Sequence, residues 1–140
     1  MQKIYIFDLD DTLWNGLRLY PDVKRILSSL RKANCYIYIA SFNLFADKIL
    51  TLLDIHKYFH GGSYGRNVSK LGMINQIKNY HNSVYNIQNN QVEIYFFDDL
   101  PSNIVEVRRD KSIIPVHILY GLTARHIKNA KQLSGKISNV

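Results

Sequence analysis

The stretch that decides the fold lies at the start of the chain. Residues 3–13 are Lys3-Ile4-Tyr5-Ile6-Phe7-Asp8-Leu9-Asp10-Asp11-Thr12-Leu13. After Lys3 come four apolar, β-favouring residues, which are typical of a short buried strand. Three acidic residues then follow within four positions. This order predicts a strand that ends at a polar edge of a sheet.

The rest of the chain alternates between helix-like and strand-like segments. Strands are predicted over Cys35–Ala40, Tyr58–Ser63, Val92–Phe97 and Ile113–Leu119. Helices are predicted over Pro21–Lys32, Leu44–Leu53, Ser102–Asp110 and Thr123–Leu133, and a further helix through Tyr80 would be capped by Ser69 or Asn67. In the second of these helices Ile49, Leu52 and Leu53 are expected to face inward. The Asn-rich stretch His81–Asn90 is expected to be a surface loop.

This alternation predicts an α/β fold with a parallel sheet and helices on both of its faces. The length of 140 residues fits one domain. We therefore expect a single Rossmann-like, three-layer domain over residues 1–140, with about five strands and a frayed tail after about residue 135. In such sheets ligands bind beyond the carboxyl ends of the strands.

Composition excludes several classes of protein. With 46% hydrophobic residues the chain is too apolar for a disordered protein. No apolar run approaches the roughly 20 residues that span a bilayer, so we expect a soluble, cytoplasmic protein without a membrane partner. The single cysteine, Cys35, excludes an internal disulfide and a cysteine-built metal site. The net charge of +7 favours anionic partners, although scattered basic residues also serve solubility.

Polar residues stand at the predicted ends of three strands. Asp8 and Asp10 follow the first strand, Ser41 follows the second, and Asp98-Asp99 follows Val92–Phe97. Carboxylates brought to one edge repel each other by about 4 kcal/mol per pair at 4 Å and an effective dielectric of 20. A divalent cation removes that cost, and an all-oxygen site suits Mg²⁺. The alternative is that the acids cap helices or turns, which is the interpretation preferred for Asp11.

Four motifs in order resemble those of the haloacid dehalogenase superfamily. They are Asp8-x-Asp10-x-Thr12, then Ser41 after a strand, then Lys70 at a helix start, then Phe96-Phe97-Asp98-Asp99 with Asn103. Among its subfamilies the chain looks most like the capless magnesium-dependent phosphatase 1 group. The resemblance covers residues 3 to about 117, and it implies a phosphatase.

The resemblance assigns the chemistry to a few residues. Asp8 would be the nucleophile that forms an aspartyl-phosphate. Asp10 would protonate the leaving oxygen and then activate water. Lys70 would neutralise the phosphate and the Asp8 carboxylate. The cofactor would be Mg²⁺, held by the carboxylates of Asp8 and Asp99 and by the backbone carbonyl of Asp10.

Other residues would support or border this centre. Asp98 would orient Lys70, with Asn103 beside it. The substrate would be bound by Thr12, which shapes the turn after the nucleophile, by Ser41, which hydrogen-bonds the phosphoryl group, and by Trp14, Phe42 and Asn43. Ser41 as a helix cap, and Trp14 and Phe42 as core residues, are the alternatives. Residues 16–20 would form a flap at the same edge.

The spacing of the motifs bears on the substrate. Twenty-eight residues separate Thr12 from Ser41, and another 28 separate Ser41 from Lys70. Cap domains of this superfamily are inserted in those gaps, so we expect a capless protein with an open site. The expected partner is a phosphorylated substrate, either a phosphoprotein of the phosphotyrosine type or a sugar phosphate. A polynucleotide 3′-phosphatase, favoured by the basic charge, and a catalytically idle binding module are the alternatives; no pattern specifies an oligomeric state.

Overall fold

Five parallel strands between two layers of helices make up the fold in a computed structural model, which describes residues 1–66 and 68–138. The strands are β1 (Gln2–Phe7), β2 (Tyr36–Ser41), β3 (Gly61–Tyr64), β4 (Val92–Asp98) and β5 (Ile113–His117). The helices are α1 (Val23–Lys32), α2 (Ala46–Leu52), α3 (Lys70–Tyr85), α4 (Pro101–Val107) and α5 (Ala124–Ser138). Short 3₁₀ turns lie at His56–Tyr58 and Asn89–Gln91. The predicted α/β domain of three layers is confirmed.

The order of the strands places β1 at the centre of the sheet. The order is β3-β2-β1-β4-β5, and every neighbouring pair is parallel. Phe7 at the end of β1 pairs with Ile39 of β2 on one side and with Phe97 of β4 on the other. The residues that follow these strands are therefore brought together at one edge, where Asp8 lies beside Asp98.

Alternation along the strands divides the core between the two faces of the sheet. Tyr5 and Phe7 face α1, α2 and α5, whereas Ile4 and Ile6 face α3 and α4. All four side chains are fully buried, and each contributes about 1.5–3 kcal/mol through the apolar surface it removes from water. The rigid centre of the sheet thus supports the edge at which β1 ends.

Helix α3 is longer than the sequence predicts. It continues to Tyr85, so the first half of the expected loop at 81–90 is helical. His81 explains the extension, because its buried ring bonds the Tyr38 hydroxyl at 2.7 Å and Gln2 Oε1 at 2.7 Å. These contacts outweigh the low helix propensity of the Asn-rich segment. The helix is capped by Asn86, which adopts the left-handed conformation with φ 53°.

Helix α2 presents a different face from the one expected. Ala46 and Leu50, four residues apart, are buried, whereas Leu52 is 81% exposed. Two residues along a helix correspond to roughly 200° of rotation, so Leu52 lies on the side opposite Leu50. The prediction for Leu52 was wrong, while Ile49 and Leu53 pack partly buried against the core.

Helix α5 continues past its predicted end near Leu133 and reaches Ser138. Gly135 weakens a helix without ending it, and no proline follows it in the sequence. Residues 139–140 of the expected frayed tail lie outside the described residues. Neither α5 nor another helix in the described part of the chain has the length and apolar character needed to cross a membrane.

Candidate active site

Three carboxylates converge at the carboxyl edge of the sheet. Asp8, Asp98 and Asp99 each offer an oxygen, and these oxygens lie within 4.8 Å of one another. The pairing of β1 with β4 explains the convergence, because Phe7 and Phe97 are register partners and the acids follow directly. Asp8 and Asp98 are buried, and Asp99 is half-buried.

Lys70 supplies the positive charge of this cluster. It occupies the first position of α3, a helix that the Ser69 hydroxyl oxygen caps by accepting a hydrogen bond from the first turn. The side chain is 1% exposed, and its ammonium donates to Asp8 Oδ1 and to the Ala40 carbonyl, both at 2.7 Å. Asp98 Oδ2 lies 3.2 Å from the same nitrogen. A buried lysine is tolerated because it is paired and its protons are bonded.

The electrostatics of the carboxylates favour a cation. Burial, together with the neighbouring Asp98 and Asp99, raises the pKa of Asp8 to about 8 against the opposing effect of Lys70. Burial also raises the pKa of Asp99. One lysine therefore does not balance the three acids. An all-oxygen cluster with excess negative charge is the donor set that suits Mg²⁺, so the residues present fit that ion.

Asp98 is more fully engaged than its two neighbours. Its Oδ1 accepts a hydrogen bond from the Leu100 backbone N–H at 2.9 Å, and its Oδ2 accepts one from Asn103 Nδ2 at 3.0 Å. The second oxygen also faces Lys70. Both oxygens of Asp98 thus have partners within the protein, and Asn103 fixes the orientation of the carboxylate that contacts Lys70.

The Asp10 carboxylate lies outside the three-acid cluster and is exposed. Its Oδ1 accepts a hydrogen bond from the Trp14 indole N–H at 2.8 Å, and its Oδ2 accepts one from Asn43 Nδ2 at 3.4 Å. The turn after β1 and the loop after β2 are therefore joined through Asp10. Trp14 and Asn43, expected to border the substrate, both hold this side chain in place.

Thr12 and Ser41, the two hydroxyl residues expected at the site, are both buried. The Thr12 hydroxyl donates to Asp8 Oδ2 at 3.3 Å. The Ser41 hydroxyl oxygen accepts a hydrogen bond from the Asn43 backbone N–H at 3.1 Å. Within the described residues the Ser41 proton has no acceptor, so it is available to a phosphoryl oxygen. Phe42 is half-buried, and its ring centre lies 4.8 Å from the Lys70 ammonium, within the range of a cation–π contact.

Two positioning contacts had no signal in the sequence. Glu106 of α4 accepts a hydrogen bond from the Leu71 backbone N–H at 2.9 Å, next to Lys70. The His117 ring nitrogen Nε2 lies 2.8 Å from the backbone carbonyl of Asp99. Both contacts join distant parts of the chain, so only the folded packing brings them together.

A set of exposed apolar side chains borders the same edge of the sheet; we call it the apolar rim. Its members stand in the loops that follow β1, β2 and β5. They are Leu17, Leu44, Phe45, Leu119 and Tyr120, with exposures of 85%, 72%, 63%, 59% and 93%. Leu17 and Tyr120 fall between the predicted elements, whereas Leu44 and Phe45 fall in a predicted helix and Leu119 in a predicted strand, so only the segment of Leu17 was expected at this edge.

A sequence profile of the family described as Acid Phosphatase matches residues 15–134. The chain belongs to the acid phosphatase family. It is accordingly a phosphatase of the haloacid dehalogenase type. The match begins after Asp8–Thr12, so membership in the family is independent of that motif.

Solved structures show the same fold at low identity. The core domain of a protein assigned as a phosphoglycolate phosphatase, from Streptococcus pneumoniae TIGR4, is 18% identical with a TM-score of 0.67, covering 94% of this chain and 96% of that one. A haloacid dehalogenase-like hydrolase from Streptococcus pneumoniae is 18% identical with a TM-score of 0.56, and the match covers 81% of this chain and 52% of that one. A protein from Haemophilus somnus, assigned as a phosphoglycolate phosphatase, is 20% identical with a TM-score of 0.56, and the match covers 74% of this chain and 46% of that one. This chain thus spans about half of the latter two, and no curated protein sequence matches it.

Proposed function

We propose that this phosphatase is a Mg²⁺-dependent phosphomonoesterase that forms an aspartyl-phosphate on Asp8. One observation carries the proposal: the buried Asp8 carboxylate contacts Lys70 at 2.7 Å and lies within 4.8 Å of two further acids. A carboxylate so placed at the end of the central strand is open to ligands at the carboxyl edge. The alternative, a catalytically idle binding module, would have no need to bury three acids that repel each other.

The metal would be held by the carboxylates of Asp8 and Asp99 and by the backbone carbonyl of Asp10. Their oxygen chemistry fits Mg²⁺, and burial together with the neighbouring Asp98 raises the pKa of both Asp8 and Asp99, so a cation would favour their charged forms. Bound Mg²⁺ would neutralise these acids and stabilise charge on the transferred phosphoryl group. Asp98, whose oxygens already accept hydrogen bonds, is assigned to orienting Lys70 together with Asn103.

The reaction then follows from the protein's own side chains. An oxygen of Asp8 attacks phosphorus, the ester P–O bond breaks, and the leaving oxygen takes a proton from Asp10. In the second half a water attacks phosphorus while giving its proton to Asp10, and phosphate leaves with Asp8 restored. Lys70 balances the charge on the phosphoryl oxygens, and the Ser41 hydroxyl donates to one of them. Trp14 and Asn43 keep the Asp10 carboxylate at the mouth of the site.

The apolar rim suggests which phosphate esters reach this site. The short gaps between motifs leave no room for a cap domain, so we infer an open, capless site. Exposed leucines and aromatic rings around it favour a phosphate carried on an apolar or aromatic group, such as phosphotyrosine in a protein. A rim of this composition suits a polynucleotide end less well, because such a substrate needs basic contacts. The assignments of two similar structures keep a small phosphorylated acid or sugar as the second candidate.

Hydrolysis of p-nitrophenyl phosphate tests the proposal. Turnover should vanish in EDTA and return with Mg²⁺. Asp8→Asn should lose at least about 10⁴-fold in kcat, as expected for removal of a covalent nucleophile. Asp11→Asn is the matched control, because Asp11 is exposed and its φ of 61° suits asparagine equally well. Full turnover in EDTA, or in Asp8→Asn, would contradict the proposal.

A further inference from the structure

A second concave site lies at the opposite end of the sheet from the three acids. It is a cleft of about 800 Å³ between α1 and α5, beneath the amino ends of β1 and β2. That volume falls within the roughly 300–1,000 Å³ of small-molecule sites. Tyr5, Ile26, Leu30, Cys35 and Ile127, all buried, belong to its lining and make it apolar.

The walls of the cleft are basic. Lys3 from β1, Arg25 from α1, and Lys128 and Lys131 from α5 line it, and its described lining contains no acid. Arg25 already donates to Asp22 at 2.9 Å, but over residues 1–66 and 68–138 neither Lys128 nor Lys131 has an ion-pair partner. Two lysines one turn apart therefore face an apolar cavity with their charge uncompensated.

The charges of Lys3 and Lys131 reach the interior of the cleft. Burial raises the pKa of the Cys35 thiol, and Lys3 and Lys131 act in the opposite direction. Another acid near the cleft, Glu93, stands beside Lys3 in the sheet and accepts a hydrogen bond from Ser134. Glu93 is thus engaged at the neighbouring strand and does not line the cleft.

Tyr5 adds an independent sign of a ligand. Its side chain is fully buried and lines the cleft, and its ring stacks on Tyr95 with centres 4.8 Å apart. The Tyr5 hydroxyl has no hydrogen-bond partner within the described structure. Buried hydroxyls are nearly always bonded, so this one lacks the acceptor that a bound molecule would provide. Burial raises its pKa, which keeps the hydroxyl protonated and able to donate.

We propose that this cleft binds a small organic anion, with an aromatic or aliphatic body on the apolar floor and an acidic head group between Lys128 and Lys131. The Tyr5 hydroxyl donates to a polar atom of the same ligand. The site is separate from the catalytic edge, and β1 runs from one to the other. It does not depend on the proposed phosphatase mechanism.

Fluorescence titration with 1-anilinonaphthalene-8-sulfonate tests the site, because this probe joins an aromatic body to one fixed negative charge. Wild-type protein with Mg²⁺ should bind one equivalent. Lys128→Gln and Lys131→Gln should each weaken binding about tenfold, since each removes a charge-assisted contact. Lys48→Gln, an exposed lysine on α2, is the matched control and should leave it unchanged. Tyr5→Phe should weaken binding about threefold and keep the fold, which near-ultraviolet circular dichroism would verify.

The uncharged analogue N-phenyl-1-naphthylamine separates an anion site from a merely apolar one. Binding of this analogue as tight as that of the sulfonate would overturn the proposal. It would also fail if Tyr120→Ser at the apolar rim abolished sulfonate binding while both lysine variants retained it. Displacement of the probe by 1-naphthoate or 1-naphthylphosphonate would support the site, and the stronger competitor would identify the preferred head group.

Discussion

Replacement of Lys70 by methionine tests the electrostatic design of the active site. Methionine has a similar length but carries no charge, so Lys70→Met removes the ammonium group while keeping much of the packing against Phe42 and Phe96. Three contacts disappear: those with Asp8 and the Ala40 carbonyl at 2.7 Å, and that with Asp98 at 3.2 Å.

The cost follows from what is left behind. Removing one partner of a buried ion pair costs about 3–5 kcal/mol, because the other charge stays buried without compensation. Here two carboxylates, Asp8 and Asp98, lose the same cation. In the metal-free protein the pKa of Asp8 is already raised to about 8, and loss of Lys70 raises it further. At pH 6 the Asp8 carboxyl is protonated in both folded proteins, but at pH 9 it is mostly ionised in the wild type while the variant, with its higher Asp8 pKa, still resists ionisation. The variant therefore goes on losing stability as pH rises above about 8, and the cost of the substitution should be larger at pH 9 than at pH 6.

Urea unfolding in EDTA at the two pH values measures this cost. Lys48→Met, at an exposed position of α2, is the matched control and should stay within about 0.5 kcal/mol of wild type. With Mg²⁺ present, Lys70→Met should also lose at least about 10²-fold in kcat, the usual effect of removing one donor to a reacting oxyanion. A cost below about 1 kcal/mol at both pH values, or undiminished turnover, would refute this account of Lys70.

Three further predictions concern other parts of the molecule. Trp14→Phe removes the indole N–H that bonds Asp10 at 2.8 Å, and kcat should fall about tenfold with unchanged circular dichroism. Burial lowers the pKa of His81 to about 4, so the folded state binds fewer protons than the unfolded chain below pH 6.5, and stability rises with pH over that window. His81→Asn should remove up to about 3 kcal/mol of this rise in urea titrations. Gly62→Ala places Cβ 2.3 Å from a β2 side chain and should lower Tm. Gly135→Ala has free space around its Cβ and should raise the free energy of unfolding by about 1 kcal/mol. A Gly62→Ala protein more stable than the Gly135→Ala protein would contradict this packing.

The sequence predicted the sheet and its polar edge because both depend on local pattern. Apolar runs ending in Asp8, Ser41 and Asp98 mark buried parallel strands, and parallel strands bring their carboxyl ends to one edge. The length of α3 was not predictable in the same way. His81 stabilises the fourth turn of that helix through a hydroxyl and an amide on β1 and β2, and those partners are distant in sequence.

The contacts that side chains make around the site could also not be predicted from the local sequence pattern. Trp14 and Phe42 were expected to contact the substrate. In the structure the Trp14 indole donates a hydrogen bond to Asp10, and the Phe42 ring packs against the Lys70 ammonium. An aromatic residue next to a motif is equally compatible with a rim, a core or a positioning role, and only packing decides among them. Tyr120 shows the opposite case: it is exposed at the catalytic edge, although no motif stands next to it in the sequence.

The identity of the nucleophile is the central claim, and trapping of the phosphoenzyme tests it most directly. In Asp10→Asn the second step should be slow, and a good leaving group such as p-nitrophenolate needs little acid help in the first, so the intermediate should accumulate. Acid quenching, trypsin digestion and fragmentation of the peptide Ile4–Arg18 would locate the phosphate. We predict that it lies on Asp8, that it forms only with Mg²⁺, and that Asp8→Asn abolishes it. Phosphate on any other residue would contradict the account.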